Sequence, residues 1–287
     1  MARIGKYFSL VKFSHTVFAL PFALAGFLMG VSAREGNSFP WKTLLMVLVC
    51  MVSARSAAMA FNRFLDRDID KLNVRTSMRE IPAGVISPRS ALLFTICCSL
   101  LFMGAAALIN SLCFFLSPAA LVVILGYSYT KRFTVLCHFV LGLGLSLAPA
   151  GAYIAVTGAF AWLPVLFSLL VLFWVGGFDI IYAMQDEAFD KQLRLKSLPA
   201  LLGKNKALAL SRICHFFSAG LLVIAGLYGH FGLYYWTGAA CFTGLLIYQQ
   251  TLVKPGDLRR VNLAFFTTNG LASILFFIFF CLDFFSK

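Results

Sequence analysis

Seven of the eleven acidic residues in this 287-residue chain fall in two short segments. The first runs Asn62-Arg63-Phe64-Leu65-Asp66-Arg67-Asp68-Ile69-Asp70, and the second runs from Asp179 through Asp186 and Glu187 to Asp190. Asn62, Asp66 and Asp70 recur every four residues, so a helix stacks them along one face. Oxygen donors in such a row suit a hard divalent cation, and without one Asp66 and Asp70 repel each other. Asp179, Asp186 and Asp190 fall at i, i+7 and i+11, which is again one helical face, and Asp186 and Asp190 repeat the D-x₃-D spacing. Two such faces fit Mg²⁺ held by one or two carboxylates and by phosphate oxygens of a substrate. A single D-x₃-D is weak, since ordinary helix ends produce it. The competing explanation is a set of interfacial carboxylates paired with nearby Arg residues.

The rest of the chain dictates where these acids sit. Hydrophobic residues make up 61%, charged residues only 12%, and the mean hydropathy is +0.88. A soluble domain is nearer 45–50% apolar and about 25% charged. A chain of this length cannot bury so much apolar surface in one soluble core, so lipid must cover it. Nine continuously apolar runs are long enough to span: 16–33, 42–61, 90–109, 112–128, 135–156, 160–182, 207–228, 232–252 and 262–283. None alternates, which argues against a β-barrel. Asn110-Ser111 makes the third and fourth a tight hairpin. The expected fold is all-α and polytopic, with about nine transmembrane helices around a cavity open to the cytoplasmic side and to lipid. Residues 1–287 form one domain in this view, with no cleaved leader: the run after the basic start is the first span.

The 31 Phe residues are expected to face lipid or pack between helices. The eight Cys show no CxxC or Cys/His cluster, so neither zinc nor a disulfide framework is expected. Twenty of the 24 Lys and Arg residues fall on alternate loops assigned to one side, and Arg55 lies within a span near that basic end. The positive-inside rule makes that side cytoplasmic, with the N-terminus there and Lys287 outside. Both acidic segments then lie at cytoplasmic span ends. The net charge of +13 follows from this topology and from attraction to anionic lipid, so nucleic acid is not an expected partner. No protein partner is implied either.

Taken together, these motifs resemble the UbiA superfamily of membrane prenyltransferases over essentially the whole chain. The first segment is similar to the family's N-x₃-D-x₃-D and continues into Arg75-Thr76 and Arg79-Glu80-Ile81-Pro82-Ala83-Gly84. The second is similar to Y-x₃-D-x₃-D through Tyr182, Asp186 and Asp190. The stretch from His15 to Leu24, with Tyr127, Tyr129 and Lys131-Arg132-Phe133-Thr134, resembles the bacterial 4-hydroxybenzoate polyprenyltransferase branch. One departure is Arg63, where many members carry Asp; it removes a metal ligand, adds a cation and leaves the metal count open.

The resemblance implies a polyprenyl diphosphate bound through Mg²⁺, with Asn62, Asp66, Asp70, Asp186 and Asp190 as ligands and Asp179 in support. It implies ionisation to an allylic cation, attack by an electron-rich ring carbon of an aromatic acid, and loss of the ring proton. Asp66, Asp70, Asp186, Asp190, Arg67 and Tyr127 are the expected catalytic residues. Arg63, Arg67, Lys131, Tyr182, Asp179 and Lys196 are expected to bind substrate, Arg63 and Arg67 being suited to a bidentate carboxylate. Tyr127, Tyr129 and Tyr182 either face the cation or anchor the interface. His15 is expected to pack, and His138, His215 and His230 receive no role. Gly142-Leu143-Gly144-Leu145-Ser146 and Gly176-Gly177 allow close helix approach. The implied pathway is quinone biosynthesis, through 4-hydroxybenzoate or through another aromatic acid of an alternative menaquinone route. A secondary transporter is the reading from another class, but transporters place charge near the midplane on broken helices. Here the acids lie at one membrane face. A scaffold protein gives the paired Asp faces no purpose.

Overall fold

The computed structural model describes residues 10, 18–34 and 38–286. His15 and the first two residues of the run expected at 16–33 lie outside the described residues, as do Lys287 and most of the basic N-terminal segment. The helices are α1 (Leu20–Ala33), α2 (Trp41–Leu65), α3 (Arg67–Leu72), α4 (Pro88–Ile109), α5 (Ser111–Thr130), α6 (Cys137–Thr157), α7 (Trp162–Ala183), α8 (Glu187–Gln192), α9 (Leu198–Tyr228), α10 (Leu233–Leu252) and α11 (Asn269–Phe285). A 3₁₀ turn, Met184–Asp186, joins α7 to α8, and a π-helical turn, Leu263–Thr268, precedes α11. No β-strand occurs among the described residues beyond one isolated bridge, Lys254 to Asp257.

Among the described residues, seven helices are long and apolar enough to cross a membrane: Trp41–Leu65, Pro88–Ile109, Ser111–Thr130, Cys137–Thr157, Trp162–Gln192, Leu198–Tyr228 and Leu263–Phe285. The sequence pattern predicts nine spans. The remaining two segments are also helical, but α1 has 14 described residues, and polar Gln249 and Gln250 dilute the 20-residue α10. Large apolar side chains such as Leu100, Phe115, Val122 and Phe216 stand exposed on these helices. Only lipid can cover them, and a helix satisfies its own backbone there. The chain is an integral membrane protein.

Local chemistry marks the helix ends. Ser87 caps α4, accepting from the Ser90 amide at 3.1 Å, with Pro88 in the first turn. Ser197 does the same for α9, accepting from Ala200 at 3.3 Å. Asn110 makes the tight α4–α5 hairpin by accepting from the Cys113 amide at 2.8 Å. Gly158, at φ 68°, ends α6 in the left-handed conformation that favours glycine. Gly203, at φ 75°, kinks α9 five residues after its start, so the helix begins earlier than the run expected at 207–228.

The chain divides into two compact units, Met1–Thr16 with Pro40–Tyr129 and Val17–Phe39 with Thr130–Lys287. In the first, α2 packs along α4. In the second, α7 packs against α6 and α9, α1 against α6, and α10 against α11. Lipid tails are as apolar as Leu, so burial alone does not drive these helices together; close packing and internal hydrogen bonds do. Small residues supply the close packing. A side chain at Gly142 would meet the Leu172 carbonyl at 2.6 Å, and one at Gly177 would meet the His215 ring at a similar distance. Rings fill the rest: Phe22 stacks on Phe276 at 5.6 Å and lies 5.3 Å from Trp174. The Trp174 indole donates to Asn269 Oδ1 at 3.0 Å. All eight cysteines are free thiols.

Asp283 shows how strictly polar groups are matched. It is 1% exposed, and both its oxygens cap the start of α10, accepting from Gly232 at 2.9 Å and Tyr235 at 3.2 Å. Asp283→Ala strands two amides, one on fully buried Tyr235, and is expected to cost about 1–3 kcal/mol. The check is the thermal midpoint in detergent: a clear drop is expected, and an unchanged Tm contradicts the capping role.

Candidate active site

The first acidic segment belongs to the first unit. The spacing predicts one uninterrupted helix, but α2 ends at Leu65 and α3 begins at Arg67, with Asp66 between them at φ −89°, ψ 6°. The register survives the break, because the Asp66 amide donates to the Asn62 carbonyl at 2.9 Å and the Asp70 amide to the Asp66 carbonyl at 2.7 Å. The row is therefore kept. Asn62 Nδ2 donates to Asp66 Oδ2 at 3.1 Å. Asp66 and Asp70 are buried, at 4% and 5% exposure, whereas Asp68 points to solvent.

Sequence reasoning left Arg79 without a site role, yet it is the main partner of this segment. Its Nη1 donates to Asp70 Oδ1 at 2.7 Å. Thr76 supports the same turn, donating to the Asp70 carbonyl at 3.2 Å. Asp70 Oδ2 is buried and has no hydrogen-bond partner. The signal for Arg79 lay in its position, nine residues after Asp70 within the Arg-Glu-Ile-Pro-Ala-Gly loop. Arg63 is 4% exposed; Arg79, Asp70, Glu80 and Tyr127 are its electrostatic neighbours, and its Nε has no hydrogen-bond partner. Tyr127 lies in the field of Arg55, Arg63 and Asp66. Arg67 turns aside, with its guanidinium 4.8 Å from the Phe64 ring, donating to the Phe64 carbonyl at 2.8 Å and sitting 3.6 Å from Asp68. Tyr129 is exposed, its ring 5.8 Å from that of Phe61.

The second segment belongs to the second unit, and here one expected helical face is corrected. The 3₁₀ turn tightens the winding between α7 and α8, so Asp179 and Asp190 lie on different helices. Asp179 turns instead to His138 on α6, with Oδ2 and Nδ1 2.7 Å apart. That gives a partner to a histidine assigned none from sequence. Asp190, 5% exposed, is hydrogen-bonded by Ser197, and Lys131 and Asp186 are among its charged neighbours. Lys131 and Lys196 are tied through the backbone, the Lys196 amide donating to the Lys131 carbonyl at 2.7 Å. The Lys196 ammonium donates to the Phe133 carbonyl at 3.1 Å. Glu187 is taken by Lys191 at 2.6 Å and Lys204 at 3.7 Å, so the acid that Lys191 pairs with is Glu187. Tyr182 sits against Phe265 of the π-helical turn, ring centroids 4.2 Å apart.

Mg²⁺ makes particular demands on such residues. Among the described residues, no group of three or more His, Cys, Asp or Glu side chains is gathered so as to hold a metal ion. Mg²⁺ does not require one, since it keeps several waters and takes substrate phosphate oxygens beside one or two carboxylates. An anionic oxygen that is buried and unpartnered, as on Asp70, fits such a ligand.

Comparison with known proteins agrees with this chemistry. The UbiA prenyltransferase family matches residues 19–280. The 4-hydroxybenzoate octaprenyltransferase of Aliivibrio fischeri (strain MJ11) is 33% identical over 242 residues, 82% of each chain. That of Herminiimonas arsenicoxydans is 30% identical over 282 residues, 96% of each chain. The apo structure of a UbiA homolog from Aeropyrum pernix K1 superposes with a TM-score of 0.84 at 31% identity, covering 94% of this chain and 98% of that one. A UbiA homolog from Archaeoglobus fulgidus bound to DMAPP and Mg²⁺ shares the fold, with a TM-score of 0.72 at 23% identity over 98% and 100% of the two chains. The chain belongs to the UbiA prenyltransferase family. It is an enzyme, a membrane-embedded prenyltransferase.

Removing Arg79 would leave the Asp70 charge buried without its cation. Arg79→Ala is expected to cost on the order of 3 kcal/mol and to free the loop around exposed Arg75. Faster tryptic cleavage there, with a lower Tm, is the expected result; wild-type cleavage and Tm would show that the pair holds nothing.

Proposed function

We propose that the enzyme transfers a polyprenyl group from a polyprenyl diphosphate to 4-hydroxybenzoate or a closely similar aromatic acid, with Mg²⁺, in ubiquinone biosynthesis. The observation that carries the proposal is the first acidic row: two buried carboxylates and an amide on one face, with Asp70 Oδ2 left unpartnered. The named bacterial relatives support the choice of donor and acceptor.

Asn62, Asp66 and Asp70, with Asp186 and Asp190, would hold the metal. Bound there, Mg²⁺ supplies charge neutralisation to the diphosphate as it leaves. The chain's own cations do the same work. Lys131 beside Asp190, with Lys196, would bind phosphate oxygens, as would Arg67 if it swung away from Phe64. The C–O bond breaks with its electron pair on the diphosphate, a ring carbon of the acid forms the new C–C bond to the allylic cation, and the ring proton is lost. Buried Arg63 is assigned to the acceptor carboxylate, where a guanidinium binds two oxygens at once. Tyr127 and Tyr182 offer ring faces to the cation. Asp179 serves through His138.

Residues 1–287 would act as one catalytic domain. It would have nine spans, a cytoplasmic N-terminus and its site at the cytoplasmic face of the inner membrane, as the basic loops require.

The test is transfer in isolated membranes, with labelled 4-hydroxybenzoate and a polyprenyl diphosphate, in Mg²⁺ or EDTA. Product is expected only with Mg²⁺, and Asp66→Ala and Asp186→Ala are each expected to lower it at least about 100-fold, as loss of a ligand for transition-state charge does. Transfer only to another aromatic acid would move the acceptor. Turnover undiminished by EDTA and by both substitutions would overturn the site.

A further inference from the structure

Behind the second acidic segment lies a histidine whose ring bonds Asp179 and Leu198 and so ties three elements together. His138 stands at the start of α6 and its side chain is 3% exposed. Its Nδ1 meets Asp179 Oδ2 of α7 at 2.7 Å, and its Nε2 accepts from the Leu198 amide, the first residue of α9, at 3.3 Å. An amide N–H is a fixed donor, so the ring nitrogen facing it must carry the lone pair. The other nitrogen, Nδ1, then carries the proton and donates it to Asp179. Two hydrogen bonds thus select one neutral tautomer.

What this ring holds is the return segment after α8. Arg194 there adopts φ 54°, a left-handed conformation costly for a residue with a side chain, which persists only where the surroundings fix it. The Leu195 amide donates to the Asp190 carbonyl at 2.8 Å, Lys196 is pinned to Lys131, and Ser197 bonds the Asp190 carboxylate. The Cys137 thiol meets the Lys196 carbonyl at 3.6 Å. Leu198 is where this segment enters α9, and His138 is its anchor at that point.

We propose that His138 is a positioning residue: through its Nδ1–H tautomer it pins Leu198 to α6 and so holds Ser197, Lys196 and Lys131 in register with Asp190. The proposal rests on the prenyl-transfer reading given above for what that register serves. Supporting partners of this kind typically change affinity or activity about 10- to 100-fold.

Two variants separate the two ends of the ring. His138→Asn places an amide N–H where Nδ1 stands and serves Asp179 alone. His138→Gln reaches to the Nε2 position, where its oxygen accepts from Leu198. With a polyprenyl diphosphate as the varied substrate, His138→Asn is expected to raise KM about 10- to 100-fold with kcat and Tm little changed, and His138→Gln to restore most of the KM. Wild-type KM in His138→Asn, or a failure of Gln to rescue in folded protein, overturns the tether. Hydrogen exchange without substrate reads the same contact independently of activity. The Leu198 amide is expected to be protected in the wild type and exposed in His138→Asn, and equal exchange in both overturns the proposal even if prenyl transfer is confirmed. Should neither variant fold, ¹⁵N NMR of the wild-type ring decides: a proton on Nδ1 alone is expected, and one on Nε2 refutes the tether.

Discussion

A carboxylate taken out of water must be compensated by donors aimed at its oxygens, and where it is not, something else is meant to bind there. Asp283, Glu187 and Asp257 each have both oxygens satisfied. Asp283 gives one oxygen to each of two amides at the start of α10. Glu187 gives one to Lys191 and one to Lys204. Asp257, exposed on its loop, is gripped at both oxygens by Arg259, which holds its carboxyl well below the usual range. Asp70 is different: Arg79 takes Oδ1, Thr76 takes the backbone carbonyl, and Oδ2 is buried with no hydrogen-bond partner. The fold uses a whole loop to return Arg79 to this carboxylate and still leaves half of it open. That imbalance, more than the presence of acids, is what fits the first motif to the ligand role proposed for it.

The distinction between local and distant partners explains which features could be read from the sequence. A row at every fourth residue is a local pattern, and it survives the break at Asp66 because the backbone bonds on either side keep their register. Continuous apolar runs are local too, so the helices lie where hydropathy put them. The partners that buried acids find are not local. Arg79 reaches Asp70 across nine residues, His138 reaches Asp179 across 41, and Asp283 reaches Gly232 across 51. No periodicity connects such pairs; only the packing of one segment on another does. The 3₁₀ turn at Met184–Asp186 was hidden for a related reason: Asp179, Asp186 and Asp190 fit an ideal helix, and a change of winding between them leaves no mark on residue spacing.

Rigid helices at close approach make these long-range partners dependable. Gly177 lets the His215 ring of α9 lie directly on the α7 backbone, and the Ser211 hydroxyl donates to the Gly177 carbonyl at 2.8 Å. Gln250 on α10 donates to Ser211 at 2.9 Å and bonds the His215 ring at the same distance. This network fixes α7 a short distance before its last turns, where Asp179 and Tyr182 project. In lipid, where burial gives helices little reason to associate, such contacts decide the rotation of each helix.

A substrate carrying a diphosphate needs charges already in place, because a site that must reorganise loses interaction energy to its own rearrangement. In the function proposed above, the second unit would meet that need by over-determination. The residue at φ 54° donates its own amide to the Lys191 carbonyl, the next two residues bond the Asp190 and Lys131 carbonyls, and it is a charged Arg, for which glycine would be the unstrained choice. Strain of this kind, on the order of 1 kcal/mol or more, is sustained only by fixed contacts on both sides. The contacts that sustain it are the ones that set Lys131 and Ser197 beside Asp190 and hold Lys196 on the Lys131 and Phe133 carbonyls. Order in that segment is therefore obtained at a cost in local conformation, which is the expected trade where precise placement of charge matters more than backbone comfort.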